Sequence, residues 1–199
     1  MKTEKLIMGP EEENVYILHQ SGHVLIIDPG YNAKEIASHI SQNEQVDGIL
    51  LTHGHEDHTG AADDLCEMYG CRLYMHPADL PLIDPANSRS GFCFPVYTET
   101  EDPGKRITTV AFTADVYHTP GHTAGSVCYR IRNHLFTGDT LFACDIGRTD
   151  LFSGSEEDMK ESLRFLQTLP KDLAVEPGHG PSTTLSRELK NNPYFSSEF

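Results

Sequence analysis

Thr52-His-Gly-His-Glu-Asp-His58 packs three imidazoles and a carboxylate, His53, His55, Asp57 and His58, into one short loop. The loop follows Ile49-Leu-Leu51, an apolar run that predicts a buried strand. It precedes Ala61, Leu65 and Met68, whose spacing predicts a helix. Alternation along such a loop sends His53 and His55 one way and leaves Asp57 and His58 free to turn toward a neighbouring centre. A strand-to-helix junction is where α/β domains gather functional side chains.

Working outward, Val15–Leu18 and Val24–Ile27 read as strands joined at Gln20-Ser-Gly22, with Asp28-Pro-Gly30 ending the second. Ala33, Ile36, Ala37 and Ile40 recur at helical spacing, and Leu73-Tyr-Met75 predicts the next strand. Pro77 to Lys105 is rich in Pro, Ser, Asn and Gly and reads as a long irregular segment, with Phe92, Phe94 and Tyr97 as a candidate substrate lip. Strands are expected again at Thr108–Phe112, Val127–Ile131, Leu135–Thr137 and Ala174-Val175. Helices are expected from Glu156 to Leu169, capped by Ser155, and from Leu185 to Lys190. Strands alternate with helices throughout, which predicts one layered α/β or α+β domain over residues 1–199.

Three further segments each put a candidate ligand at a strand end. They are His118-Thr-Pro-Gly-His122, Phe136-Thr-Gly-Asp139 and Pro177-Gly-His179-Gly-Pro181. A lone histidine after a strand is usually a satisfied polar residue, but four such segments in one chain point to a shared metal centre. Imidazoles and carboxylates without thiolate suit catalytic zinc, iron or manganese better than a purely structural zinc.

The motifs HGHEDH, HTPGHT, TGDT and PGHG, in this order, resemble the signature of the metallo-β-lactamase superfamily. That resemblance implies a four-layer αββα sandwich and two divalent ions, zinc first, with iron or manganese as alternatives. It assigns His53, His55 and His122 to one ion, Asp57, His58 and His179 to the other, and Asp139 to both. Two ions sharing a carboxylate would hold a hydroxide near neutral pH, with Asp57 also orienting it as the catalytic residue. His118 is then a supporting residue.

Within the superfamily, Thr137–Phe142, Gly147-Arg148 and Pro177–Thr183 are similar to glyoxalase II of the short bacterial type. That likeness implies hydrolysis of a hydroxyacyl thioester such as S-D-lactoylglutathione, with Arg148 gripping a substrate carboxylate. A thiolate leaves without the general acid an amine would need. The helical region with which long-chain glyoxalase II enzymes grip glutathione is not expected in this chain. Gly147-Arg-Thr-Asp150 is shared with persulfide dioxygenases, which makes a mononuclear iron enzyme the second reading. A non-catalytic metal-binding module is the third.

Composition narrows the partners. Thirty acidic against fifteen basic residues give a formal charge of -15, a field that repels nucleic acid and anionic membranes. A small-molecule substrate is the expected partner, and the oligomeric state is not legible. The five cysteines form no C-x-x-C pair, so neither a disulfide framework nor a thiolate zinc site is expected. With no apolar leader at Met1–Pro10, the sequence predicts a cytoplasmic protein.

Overall fold

The computed structural model describes residues 1–90 and 94–196. Among the described residues twelve strands and six α-helices follow one another. The first half runs β1 (Lys2–Met8), β2 (Glu13–Gln20), β3 (His23–Ile27), α1 (Ala33–Ser38), β4 (Gln45–Leu50), α2 (Glu56–Thr59), α3 (Ala62–Tyr69), β5 (Arg72–Tyr74), α4 (Leu80–Ile83) and β6 (Thr100–Glu101). The second half runs β7 (Arg106–Thr108), β8 (Thr113–His118), β9 (Val127–Ile131), β10 (His134–Gly138), α5 (Glu156–Leu166), β11 (Ala174–Pro177), β12 (Thr183–Thr184) and α6 (Leu185–Asn191).

The strands form two six-stranded sheets, ordered β1-β2-β3-β4-β5-β6 and β12-β11-β10-β9-β8-β7. Alternation along each strand gives each sheet two apolar faces, and both are covered. Tyr16, Leu18, Leu25 and Ile27 of the first sheet meet Val116, Val127, Tyr129 and Phe136 of the second in the central layer. Val15, Ile17, Val24 and Ile26 face outward beneath Ile36 of α1 and Leu65 of α3. On the far side Cys128, Leu135 and Val175 pack under Met159, Leu163 and Leu166 of α5 and Leu185 of α6. The layers are therefore α, β, β, α, as expected from the sequence.

Local expectations differ in several places. Residues Thr108–Phe112 do not form a strand of their own. They close a turn between β7 and β8, with the Thr109 N–H donating to Phe112 O at 2.9 Å. The helix expected to reach Leu169 stops at Leu166, and Met68 of α3 points outward, 48% exposed. The segment from Pro77 to Lys105 is more ordered than its composition predicts. It contains α4, β6 and two 3-10 turns, Pro77–Asp79 and Pro85–Ser90, and it buries Leu82, Ile83 and Val96. Phe94 and Tyr97 stand exposed, while Phe92 lies outside the described residues. Cys66, Cys71, Cys128 and Cys144 are free thiols. Among the described residues no helix is long and apolar enough to cross a membrane.

Candidate metal centre

Loops from the same end of both sheets meet above the central layer. β4 ends at Leu50, and the chain then turns through His53 and His55 into the short helix α2, which carries Asp57 and His58. The turn is tied down by Asp28, at the end of β3. Its carboxylate accepts the Thr52 N–H at 2.6 Å and the Thr52 hydroxyl at 2.6 Å. The second sheet supplies His122 after β8, Asp139 after β10 and His179 after β11. Val127 N–H donates to Thr52 O at 2.9 Å and the Tyr129 hydroxyl to Leu51 O at 2.8 Å, which fixes one sheet's loop against the other.

The seven residues singled out in the sequence form one continuous cluster. Ligating atoms of His53, His55 and His122 lie within 4.8 Å of one another, as do those of His53, His58 and Asp139, and those of Asp57, His58 and His179. His55 Nδ1 sits 3.1 Å from His53 Nε2 and 2.9 Å from His122 Nε2. Asp139 joins the groups. Its Oδ1 lies 3.4 Å from His58 Nε2, and its Oδ2 lies 3.5 Å from His122 Nε2 and 3.7 Å from His179 Nε2. Asp57 Oδ2 lies 3.2 Å from His179 Nε2 and 3.6 Å from His58 Nε2.

The outer nitrogen of three of the rings has a hydrogen-bond partner of its own, which sets the tautomer. His122 Nδ1 donates to the Arg148 carbonyl at 2.7 Å, and His179 Nδ1 to the Glu11 carbonyl at 3.0 Å. Thr52 Oγ1 gives its own proton to Asp28, so it accepts from His53 Nδ1 at 3.1 Å. His58 Nδ1 lies 3.2 Å from Asp28 Oδ2. The rings so fixed turn their other nitrogen inward. Such convergence without a cation is costly. Both ring nitrogens of His58 and Asp139 Oδ1 are buried with no hydrogen-bond partner. A pair of divalent ions fits this donor set, because it supplies the positive charge that the inward lone pairs and carboxylates lack.

Electrostatics divides the rings in the same way. Burial, then the neighbouring imidazoles, hold His53 far below the ordinary histidine range and His55 down at about 4. Burial also opposes charge on His58 and His179, but their carboxylate neighbours outweigh it and raise both. Asp57 is likewise buried, yet the His179 hydrogen bond and the nearby imidazoles hold it below the carboxylate range. Burial and crowding thus disfavour charge on His53 and His55, whereas the carboxylates around His58 and His179 favour it.

Some contributors were not legible as such. Asp28 reads in sequence as a strand terminator, yet its carboxylate orders both Thr52 and His58. Asn14 of β2 donates to the carbonyls of Pro177 and Gly180 at 2.9 Å each, and the Tyr16 hydroxyl donates to Pro177 O at 2.7 Å, so the first sheet positions the His179 loop. The Arg148 side chain forks onto Asp150, with contacts of 2.6 and 2.8 Å. It is the Arg148 carbonyl that reaches the centre. His118 stays outside it, donating to Ala124 O at 2.9 Å and stacking on His76 at 4.1 Å.

Fold and centre together define a class. The sequence model of the metallo-beta-lactamase superfamily matches residues 8–179, and the chain belongs to that superfamily. A solved structure of the BLEG-1 B3 metallo-beta-lactamase is 34% identical with a TM-score of 0.89, covering 98% of this chain and 100% of that one. TTHA1623, solved in a di-iron-bound form, is 33% identical with a TM-score of 0.84, over 96% and 99% of the two chains. The hydroxyacylglutathione hydrolase of Methylobacillus flagellatus is 34% identical over 173 residues, which take in 87% of this chain and 64% of that protein.

Proposed function

We propose that this protein is a dinuclear metallo-hydrolase acting on small hydroxyacyl thioesters, in the manner of glyoxalase II. The observation that carries the reading is the shared carboxylate, since Asp139 turns one oxygen toward His58 and the other toward His122 and His179. Divalent ions in those two ligand sets would supply a water acidic enough to ionise near neutral pH. His53, His55 and His122 would hold one ion, and Asp57, His58 and His179 the other. Asp57, kept ionised by His179, can orient a water or take its proton. A thioester suits this centre because its thiolate departs without a protonating acid. The resemblance to hydroxyacylglutathione hydrolases supports the same substrate class. Zinc is the metal we propose first, and iron accords with the di-iron relative.

The test uses zinc-loaded protein under anaerobic conditions with S-D-lactoylglutathione and related hydroxyacyl thioesters. Turnover without oxygen uptake is expected. Oxygen consumption with glutathione persulfide by iron-loaded protein, and no thioester cleavage, would overturn the proposal in favour of a dioxygenase. Cleavage of a chromogenic β-lactam with no thioester cleavage would overturn it too.

Arg148 belongs to the same proposal as a grip for a substrate carboxylate. Its guanidinium is exposed and already paired with Asp150, which Arg148 holds down at about 2. A substrate must therefore displace Asp150. Arg148→Ala should raise KM by about 10-fold with little change in kcat, the worth of one charge-assisted contact present in ground and transition states alike. Asp150→Asn should lower KM by removing the competitor. Equal losses on charged and esterified substrates would show that Arg148 is only a surface ion pair.

A further inference from the structure

The segment after β5 reaches the centre at one point. Asp79 ends the 3-10 turn Pro77–Asp79 and is completely buried. Its carboxylate takes three donors from two different loops. Oδ2 accepts the Gly54 N–H at 2.9 Å and the Thr123 hydroxyl at 2.7 Å, and Oδ1 accepts the Gly125 N–H at 2.7 Å. Gly54 is the residue between His53 and His55, and Thr123 follows His122. Gly125 has no room for a side chain, because a Cβ there would lie 2.6 Å from the Asp79 carboxyl carbon.

We infer that Asp79 is the positioning residue of the three-histidine facet, a clamp that sets the His53–His55 loop against the His122 loop. The inference rests on those three residues being metal ligands and is independent of the substrate. None of the three donors is a ligand itself, so the clamp acts only through the main chain and one hydroxyl. Its effect is to hold three lone pairs at the separations seen, 3.1 and 2.9 Å between neighbouring nitrogens. A preset facet binds an ion without first ordering two loops, and loss of such a support typically weakens metal binding about 10–100-fold. Asparagine cannot replace the carboxylate. Its amide nitrogen would face the N–H of Gly54 or of Gly125, donor against donor.

The experiment measures bound metal and needs no substrate. Zinc affinity is measured in chelator-buffered solution, and the cobalt form is followed by its absorption spectrum. Asp79→Asn is compared with wild type, with His122→Ala as the reference for a broken facet, and with Asp63→Asn as a control. Asp63 anchors the other end of the same segment through the N–H groups of Tyr97 and Thr98, at 2.9 and 2.8 Å. We expect Asp79→Asn to hold one of its two ions about 10–100-fold more weakly and its cobalt spectrum to move toward that of His122→Ala. Asp63→Asn should melt earlier yet keep both ions. Unchanged affinity for both ions and an unchanged spectrum in Asp79→Asn would overturn the inference. If that variant does not fold, Thr123→Val decides, because it removes a single donor to Asp79. A weaker ion upholds the clamp and wild-type binding refutes it. A thioester assay that fails leaves this outcome untouched, so the two readings fall separately.

Discussion

Asp139→Asn should reduce saturable zinc from about two ions per chain to about one, and should cut kcat/KM by at least about 100-fold. The carboxylate touches both ligand sets, Oδ1 facing His58 and Oδ2 facing both His122 and His179, and Oδ1 is buried without a hydrogen-bond partner. A carboxamide keeps one oxygen that can ligate an ion and puts in place of the other an N–H2 group, which has no lone pair to offer a cation. It also removes the one negative charge common to both sets. Removing a mere partner of a ligand typically costs about 10–100-fold, and a shared ligand must cost more. Elemental analysis after gel filtration, beside steady-state kinetics, gives both numbers. Two tightly held ions and near-native turnover in the variant would show that Asp139 does not bridge.

The second large effect is expected from Gly30→Ala, at a residue that carries no chemistry. A Cβ at Gly30 would lie 1.5 Å from the Asp57 carbonyl oxygen and 2.4 Å from its carbonyl carbon. The Asp28-Pro-Gly30 turn therefore packs main chain on main chain against α2, with the Ala61 N–H donating to Pro29 O at 2.9 Å. A methyl group there has to push Asp57 and His58 off the other ligands or unseat β3. We expect a loss of about 3 kcal/mol or more in unfolding free energy, at the upper end of overpacking effects. The ion held by Asp57, His58 and His179 should be lost with it. Urea denaturation of the metal-free protein separates the packing cost from the loss of bound metal. Wild-type stability with both ions retained would disprove this account of the turn.

The same contrast explains what could be read before the fold was known. The candidate ligands stood out in the sequence because their chemistry is unusual and local. His53, His55, Asp57 and His58 fall in one short stretch, and Asp139 and His179 each follow a strand whose apolar residues announce it, whereas the strand before His122, β8, lies just beyond the run expected at Thr108–Phe112. The central strands were legible for the same reason, being buried on both faces. β1 was not. It lies at a sheet edge with most of its residues only half-buried, so Lys2–Met8 shows no alternation to detect. The turn at Thr109–Phe112 passed for a strand because Val110 is apolar, although it stands 78% exposed. Asp79 and Asp28 escaped notice because a supporting carboxylate is defined only by the donors that surround it, and those come from distant parts of the chain. Arg148 shows the limit most clearly. Its residue type pointed to the side chain, whereas the contact with His122 runs through its carbonyl oxygen, which every residue possesses.

That the ligands come from both sheets bears on the order of events in folding. Four come from the first half, two of them on α2, and three from loops of the second. No short piece of the chain can assemble the complete site, and the two halves must dock before a shared carboxylate can face both sets. Contacts formed after the folding barrier leave the forward rate alone and act on the reverse rate. Bound ions should accordingly work as a late latch, setting how long the folded protein lasts rather than how quickly it forms.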